Sequence, residues 1–307
     1  MAITNLNPLR YPGSKGRSLD FFANVVRESG FNGRQIVEPY AGSASVSLGL
    51  LEKGLVSSVM LFERDPLVFA FWYSAFFRTQ ELLESIRTVD VSLDTWKALD
   101  VYRQYETVPE DQIVQCGLAG LFFNRTNFSG VIHAGPIGGQ SQSSAYGIGC
   151  RFNKVDLMKR VEAVAELGSN VEVYFGDALQ ALKDASLVQN DDRFFYIDPP
   201  YYTQGKKLYR YHYQFSDHEN LAAVLAAANY DWVLSYDAHS VIEFLYDGMN
   251  QYRRSFRYSS RVQKVEEELL ISNAALSGVE EGTQLVLFDE VDVPEVDALL
   301  ENAVAAA

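Results

Sequence analysis

Directly after the apolar run Phe194-Phe195-Tyr196-Ile197 stands Asp198-Pro199-Pro200-Tyr201. Two prolines remove two backbone donors and fix φ, so the carbonyls of this turn keep a rigid direction with no helical partner. The turn thereby holds together the Asp198 carboxylate, the Pro199 carbonyl and the aromatic face of Tyr201. An exocyclic amino group on a flat ring needs two acceptors for its hydrogens and a plate to stack on. The same string can serve as a stiff turn and nothing more; its place after an apolar strand favours chemistry.

A second constellation is Val37-Glu38-Pro39-Tyr40-Ala41-Gly42-Ser43-Ala44-Ser45, set between a strand and a helix, where open α/β sheets bind nucleotides. Small residues around Gly42 let backbone approach a ligand, and the following helix offers a positive N-terminal dipole. Glu38, at the strand's carboxyl end, can accept bonds from a ligand ammonium. The string departs from G-x-G-x-x-G, so a dinucleotide is not what it predicts. Glu63 ends the next strand 21 residues beyond Gly42, the interval at which such folds grip ribose hydroxyls. Asp177 follows the third strand and has two readings, an acceptor for an adenine amino group or a helix cap.

Tyr201 to Phe215 carries three basic residues (Lys206, Lys207, Arg210) and no acidic one, interleaved with tyrosines. Such a surface suits phosphates and unstacked bases, although a Tyr-rich loop packed on its own domain has the same composition. Arg10-Tyr11-Pro12-Gly13-Ser14-Lys15-Gly16 lacks the spacing of a phosphate loop and no strand precedes it. A lid over a ligand, supplying Tyr11 and Lys15, is the better reading.

These residues require a scaffold of short, doubly buried strands. Gln35–Val37, Val59–Phe62, Val171–Phe175, Phe194–Ile197 and Trp232–Leu234 are apolar and rich in β-branched or aromatic residues, the pattern of a parallel α/β sheet. Helices are expected over Leu67–Arg78 and Asp217–Ala228, the second opened by a capping box of Ser216 and Glu219. Tyr252–Tyr258 and Glu267–Ser272 are expected to close the sheet as an antiparallel pair. More than a hundred residues separate the second strand from the third, so residues 66–170 read as an inserted, mainly helical subdomain with a Gly- and Ser-rich loop from Gly130 to Gly149. The catalytic domain is then 1–65 with 171–272, and 273–307 an acidic appendage.

The composition excludes a disordered chain: 48% of the 307 residues are hydrophobic and 21% charged. Two cysteines, Cys116 and Cys150, and four scattered histidines supply neither a disulfide framework nor a zinc site, and no metal is expected. The net charge of −14 argues at first against nucleic acid, yet one basic and eleven acidic residues from Lys264 onward account for −10 of it. The near-neutral body can carry a local basic face. Without a long apolar span or an apolar leader, a soluble cytoplasmic protein is expected.

Taken together, Arg10–Lys15, Glu38–Ser43 and Asp198–Tyr201 resemble the DNA adenine-N6 methyltransferases of the Dam-like group. The resemblance extends through Asn124-Arg125-Thr126-Asn127-Phe128-Ser129-Gly130 and Cys150-Arg151-Phe152-Asn153-Lys154, in the family's order from about residue 8 to residue 272. It implies a Rossmann-like sheet, S-adenosylmethionine as methyl donor and double-stranded DNA as substrate, with a target-recognition insertion. Tyr11, Lys15, Glu38, Gly42, Glu63, Asp177 and Asp198 match cofactor positions, and Asp198, Pro199 and Tyr201 the catalytic ones. Arg125, Arg151, Lys154, Lys206, Lys207 and Arg210 become candidates for DNA contact. A monomer is expected, and a companion restriction enzyme stays open. Two departures stand out: Tyr11 where some members carry Trp, and Glu63 where aspartate is common. Two rival readings are a methyltransferase acting on RNA or a protein amide, and a catalytically silent DNA-binding homologue.

Overall fold

A computed structural model describes residues 7–10, 15–203, 205, 210–259 and 263–279. Tyr11, Lys206, Lys207 and residues 280–307 lie outside them. Five parallel strands, β1 (Gln35–Glu38), β2 (Val59–Glu63), β3 (Val171–Phe175), β4 (Arg193–Ile197) and β5 (Trp232–Asp237), are closed by an antiparallel hairpin of β6 (Asn250–Ser259) and β7 (Gln263–Ser272). The order across the sheet is β3-β2-β1-β4-β5-β7-β6. The direction of chain progression therefore reverses at β1 and β4, and the carboxyl ends of these two strands flank the crevice where open α/β sheets bind ligands. The chain is an α/β protein with a Rossmann-like sheet.

Alternation along each strand divides the core in two. Ile36, Leu61, Phe194 and Tyr196 point to one apolar cluster, whereas Val37, Met60, Phe195 and Ile197 point to the other. The first face is covered by α1 (Leu19–Glu28), α2 (Ser45–Glu52), α3 (Pro66–Phe77), α6 (Ile113–Thr126) and α7 (Lys154–Ala165). The second is covered by α8 (Ala178–Ala181), α9 (Ala185–Val188), α10 (Phe215–Ala226) and α11 (Ser240–Leu245).

Residues 66–170 contain α3, α4 (Thr79–Thr88), α5 (Leu93–Leu99), α6 and α7, followed between α6 and α7 by the expected irregular loop. Asp65 starts α3 by accepting from the Leu67 N–H at 2.9 Å, with Pro66 at the first helical position. Trp72 on α3, Phe122 on α6 and Val161 on α7 share one apolar cluster with Val59 and Leu61 of β2. Of these helices α3 packs directly on β2 and β3, and α6 and α7 pack against α3. Gly117 and Gly120 permit the close approach of α6 to α3: a Cβ at Gly117 would sit 2.7 Å from the Ala70 carbonyl oxygen, and one at Gly120 would strike the Leu67 carbonyl.

The strands fall where the apolar runs place them. The capping box of α10 does not. The helix begins at Phe215, so Ser216 lies within its first turn, and the Gln214 N–H donates to the Asp217 carboxylate at 2.8 Å in place of a Ser216–Glu219 exchange.

Candidate active site

Glu38 ends β1 inside the sheet, with 4% of its surface exposed. Its Oε2 is buried and has no hydrogen-bond partner among the described residues. Burial, with the Asp198 and Glu63 charges nearby, pushes the carboxyl well above the usual range. The turn after it is strained and braced. Gly42 (φ 44°) and Ala44 (φ 48°) occupy the left-handed region, where glycine is at ease and alanine is not. The Gly42 N–H donates to Glu63 Oε2 at 2.9 Å, and the Trp72 indole N–H donates to the Gly42 carbonyl at 2.8 Å.

Glu63 is also a brace from its other oxygen, which accepts the Asp65 N–H at 2.7 Å. The Arg64 N–H is a further donor to this carboxyl. Burial raises this carboxyl to about 7 even though backbone donors oppose the shift. Asp177 caps α8 by accepting from the Leu179 N–H at 2.9 Å and pairs with Arg64 at 3.1 Å. The helix-cap reading therefore holds, while the carboxylate still lines the same cleft as Glu38.

Asp198 follows β4 at the other side of the chain reversal. Its Oδ1 accepts from the Ser235 hydroxyl at 2.8 Å, and the Lys15 ammonium sits 3.3 Å from the same oxygen. Lys15 also contacts Glu268 at 3.4 Å and the Tyr201 hydroxyl, while Tyr201 donates to Glu268 at 3.1 Å. Behind the turn, the N–H groups of Tyr202 and Thr203 both donate to the Asp237 carboxylate at 2.9 Å. The prolines, Asp237 and Ser235 hold this corner with little freedom.

A cleft of about 1080 Å³, including its solvent mouth, brings Lys15, Glu38, Gly42, Glu63, Asp177 and Asp198 together. Val131 to His133 of the insertion and Arg210 to Tyr211 form its outer walls. Arg210 ion-pairs with Glu106 at 2.5 Å and donates to the Tyr105 carbonyl at 3.0 Å, tying the loop beyond Tyr201 to the insertion.

The other basic candidates separate. Arg125 turns inward and donates to the Pro8 carbonyl at 2.6 Å, and burial lowers its guanidinium to about 10. Lys154 donates to the Arg87 carbonyl at 2.9 Å, whereas Arg151 is exposed. Phe128 is 72% exposed at the tip of the turn that leads to Val131. Glu268, Ser235 and Asp237 carried no signal in the sequence, because only the strand order brings them to Asp198.

No group of three His, Cys, Asp or Glu side chains that could hold a metal occurs among the described residues. No helix among them is long and apolar enough to cross a membrane.

Acids at or just after the carboxyl ends of β1, β2 and β4 stand around one cleft at the sheet's reversal, the place where open α/β proteins bind their ligands. Residues 11–260 match the model of the D12 class N6 adenine-specific DNA methyltransferases, and the chain belongs to that family. No curated protein matches it. Similar solved structures include the rRNA methyltransferase aviRa from Streptomyces viridochromogenes, at 12% identity over 86% of each chain with a TM-score of 0.40. Another is a possible methylase from Clostridium difficile 630, at 13% identity over 78% of this chain and 48% of that one, with a TM-score of 0.30.

Proposed function

We propose that this protein transfers a methyl group from S-adenosylmethionine to the exocyclic amino group of an adenine flipped out of duplex DNA. One observation carries the reading: an unpartnered buried carboxylate oxygen on Glu38 shares a cleft with the Asp198 corner. A carboxylate oxygen buried without a donor fits an ammonium, which is what the methionine end of the cofactor brings. Gly42 gives that end close backbone approach, the Glu63 carboxyl accepts from ribose hydroxyls, and Asp177 with Arg64 borders the adenine end. When bound, the cofactor supplies an electrophilic methyl on a sulfonium.

The chain's own work is orientation. An adenine inside a duplex cannot reach Asp198, so the base is extruded at a cost of a few kcal/mol. Tyr201 offers a face for the extruded ring, and Asp198 with the Pro199 carbonyl accepts the two amino hydrogens. Those bonds draw the nitrogen lone pair out of ring conjugation and aim it at the methyl. Alignment of this kind supplies much of the acceleration. A covalent enzyme intermediate is not part of this route: Cys116 is buried with its thiol pushed up to about 11, and Cys150 lies outside the cleft lining.

The test is nucleoside analysis of plasmid from an expressing host that lacks adenine methylation, alongside labelled-methyl incorporation into RNA and protein. N6-methyladenine in the plasmid supports the reading. Label in RNA or protein alone, or unmodified adenine throughout, contradicts it.

A further inference from the structure

Asp237 on β5 and Glu268 on β7 are cross-strand partners in the antiparallel register. Asp237 fixes the backbone just after Tyr201 through two N–H donors. The ring itself still turns about two bonds, and its hydroxyl end is held elsewhere. Lys15 donates to the Tyr201 oxygen, and the Tyr201 hydroxyl donates in turn to Glu268 at 3.1 Å. The Lys15 ammonium stands 4.7 Å from the ring centroid, shared between Asp198 at 3.3 Å and Glu268 at 3.4 Å. The side chains of Lys15 and Glu268 are only 3% and 10% exposed. Two charges buried this deeply cost desolvation that a pair of apolar side chains would avoid, so a requirement other than stability accounts for them.

We propose that Glu268 is a positioning residue of the transfer site, anchoring the Tyr201 hydroxyl and sharing the Lys15 charge so that the plane of the ring and the open lone pairs of Asp198 are set before the base arrives. The inference rests on the adenine reading above for what lies on the ring. It assigns the geometry to a residue outside the Asp198–Tyr201 string. Without Glu268, Tyr201 loses this acceptor and Lys15 loses one of the two carboxylates that share its charge, so the ammonium draws toward Asp198 and competes with the incoming amino group for the same oxygens. Glu38 and Glu63, the residues proposed for the cofactor's ammonium and ribose, are on other strands.

The experiment compares Glu268→Ala, Glu268→Gln, Tyr201→Phe and the Glu268→Ala/Tyr201→Phe double variant in the full chain, measuring kcat and the KM for cofactor. Misplacement of the ring lowers kcat in Glu268→Ala by about 30- to 100-fold, while the cofactor KM moves by less than about twofold. Glu268→Gln, isosteric and still an acceptor for the hydroxyl, recovers to within about fivefold of wild type. Tyr201→Phe adds little to Glu268→Ala, because both remove the same link. The tether is also read without any methyl acceptor, from the ring carbon signals of Tyr201 in tyrosine-labelled protein, assigned by their loss in Tyr201→Phe. These signals shift in Glu268→Ala and stay close to wild type in Glu268→Gln. A wild type that methylates no DNA, with those shifts still seen in Glu268→Ala, sinks the adenine reading and leaves the role of Glu268 standing. Unshifted Tyr201 signals in Glu268→Ala, full kcat in that variant, or equal losses in the Ala and Gln variants overturn the proposal.

Discussion

The Gly42 N–H donates to Glu63 Oε2 across 2.9 Å, fastening the turn after β1 to the end of β2. The bond is buried at the wall of the cleft, and burial has raised the carboxyl to about 7. A raised acid favours its protonated form in the folded state. Its contribution is therefore complete below the unfolded pKa near 4.5 and is lost as pH rises through about 7. Wild type should lose up to about 3 kcal/mol more stability than Glu63→Gln between pH 4.5 and pH 8. Urea unfolding of both proteins across that range measures the difference; parallel curves would refute it.

Glu38 yields a prediction about proton release. Burial holds its carboxyl well above the usual carboxylate range, which favours the protonated form in the free protein. An ammonium seated against it stabilises the charged form, so cofactor binding expels a proton and tightens as pH rises. Calorimetry in two buffers of different ionisation enthalpy measures the proton. Glu38→Gln should abolish the release and weaken cofactor binding by about tenfold to a hundredfold, the size of a charge-assisted bond. An unchanged proton count in that variant would contradict the placement of the ammonium.

Arg125 and Arg151 belong to one family-like stretch each yet differ in surroundings. Arg125 holds the Pro8 carbonyl from a largely buried position, whereas Arg151 is exposed. Arg125→Ala should cost about 1–3 kcal/mol of stability through lost bonds to a buried carbonyl. Arg151→Ala should leave stability within about 0.5 kcal/mol. It should also flatten the salt dependence of DNA binding by about one unit of slope. Denaturant titration and a salt series on duplex DNA separate the two; a reversed pattern would exchange their roles.

The sheet was legible because doubly buried parallel strands such as Phe194–Ile197 read as unbroken apolar runs; Val171–Phe175, an edge strand in which only Val171 is buried, was legible from its β-branched and aromatic residues instead. The acids of the cleft were legible for a related reason: Glu38, Glu63 and Asp198 each stand at or just after the end of a strand, and strand ends share an edge. What could not be read were contacts made by fold alone. Glu268 lies 67 positions from Tyr201, and Pro8 lies 117 from Arg125. Nothing local marks either partner. The cap of α10 lies two residues before Ser216 because the same kind of exchange is available to Gln214 and Asp217, and that pair makes it.

The central claim concerns the Asp198 carboxylate, held by Ser235 and Lys15 at the edge of the cleft. Asp198→Ala and wild type, from matched preparations, can be assayed for methyl transfer to adenine in duplex DNA while calorimetry measures cofactor affinity. The account predicts that transfer falls by about a thousandfold or more, as expected when a transition-state acceptor is removed. Cofactor affinity should fall by no more than about tenfold. Transfer at the wild-type rate in Asp198→Ala would contradict it.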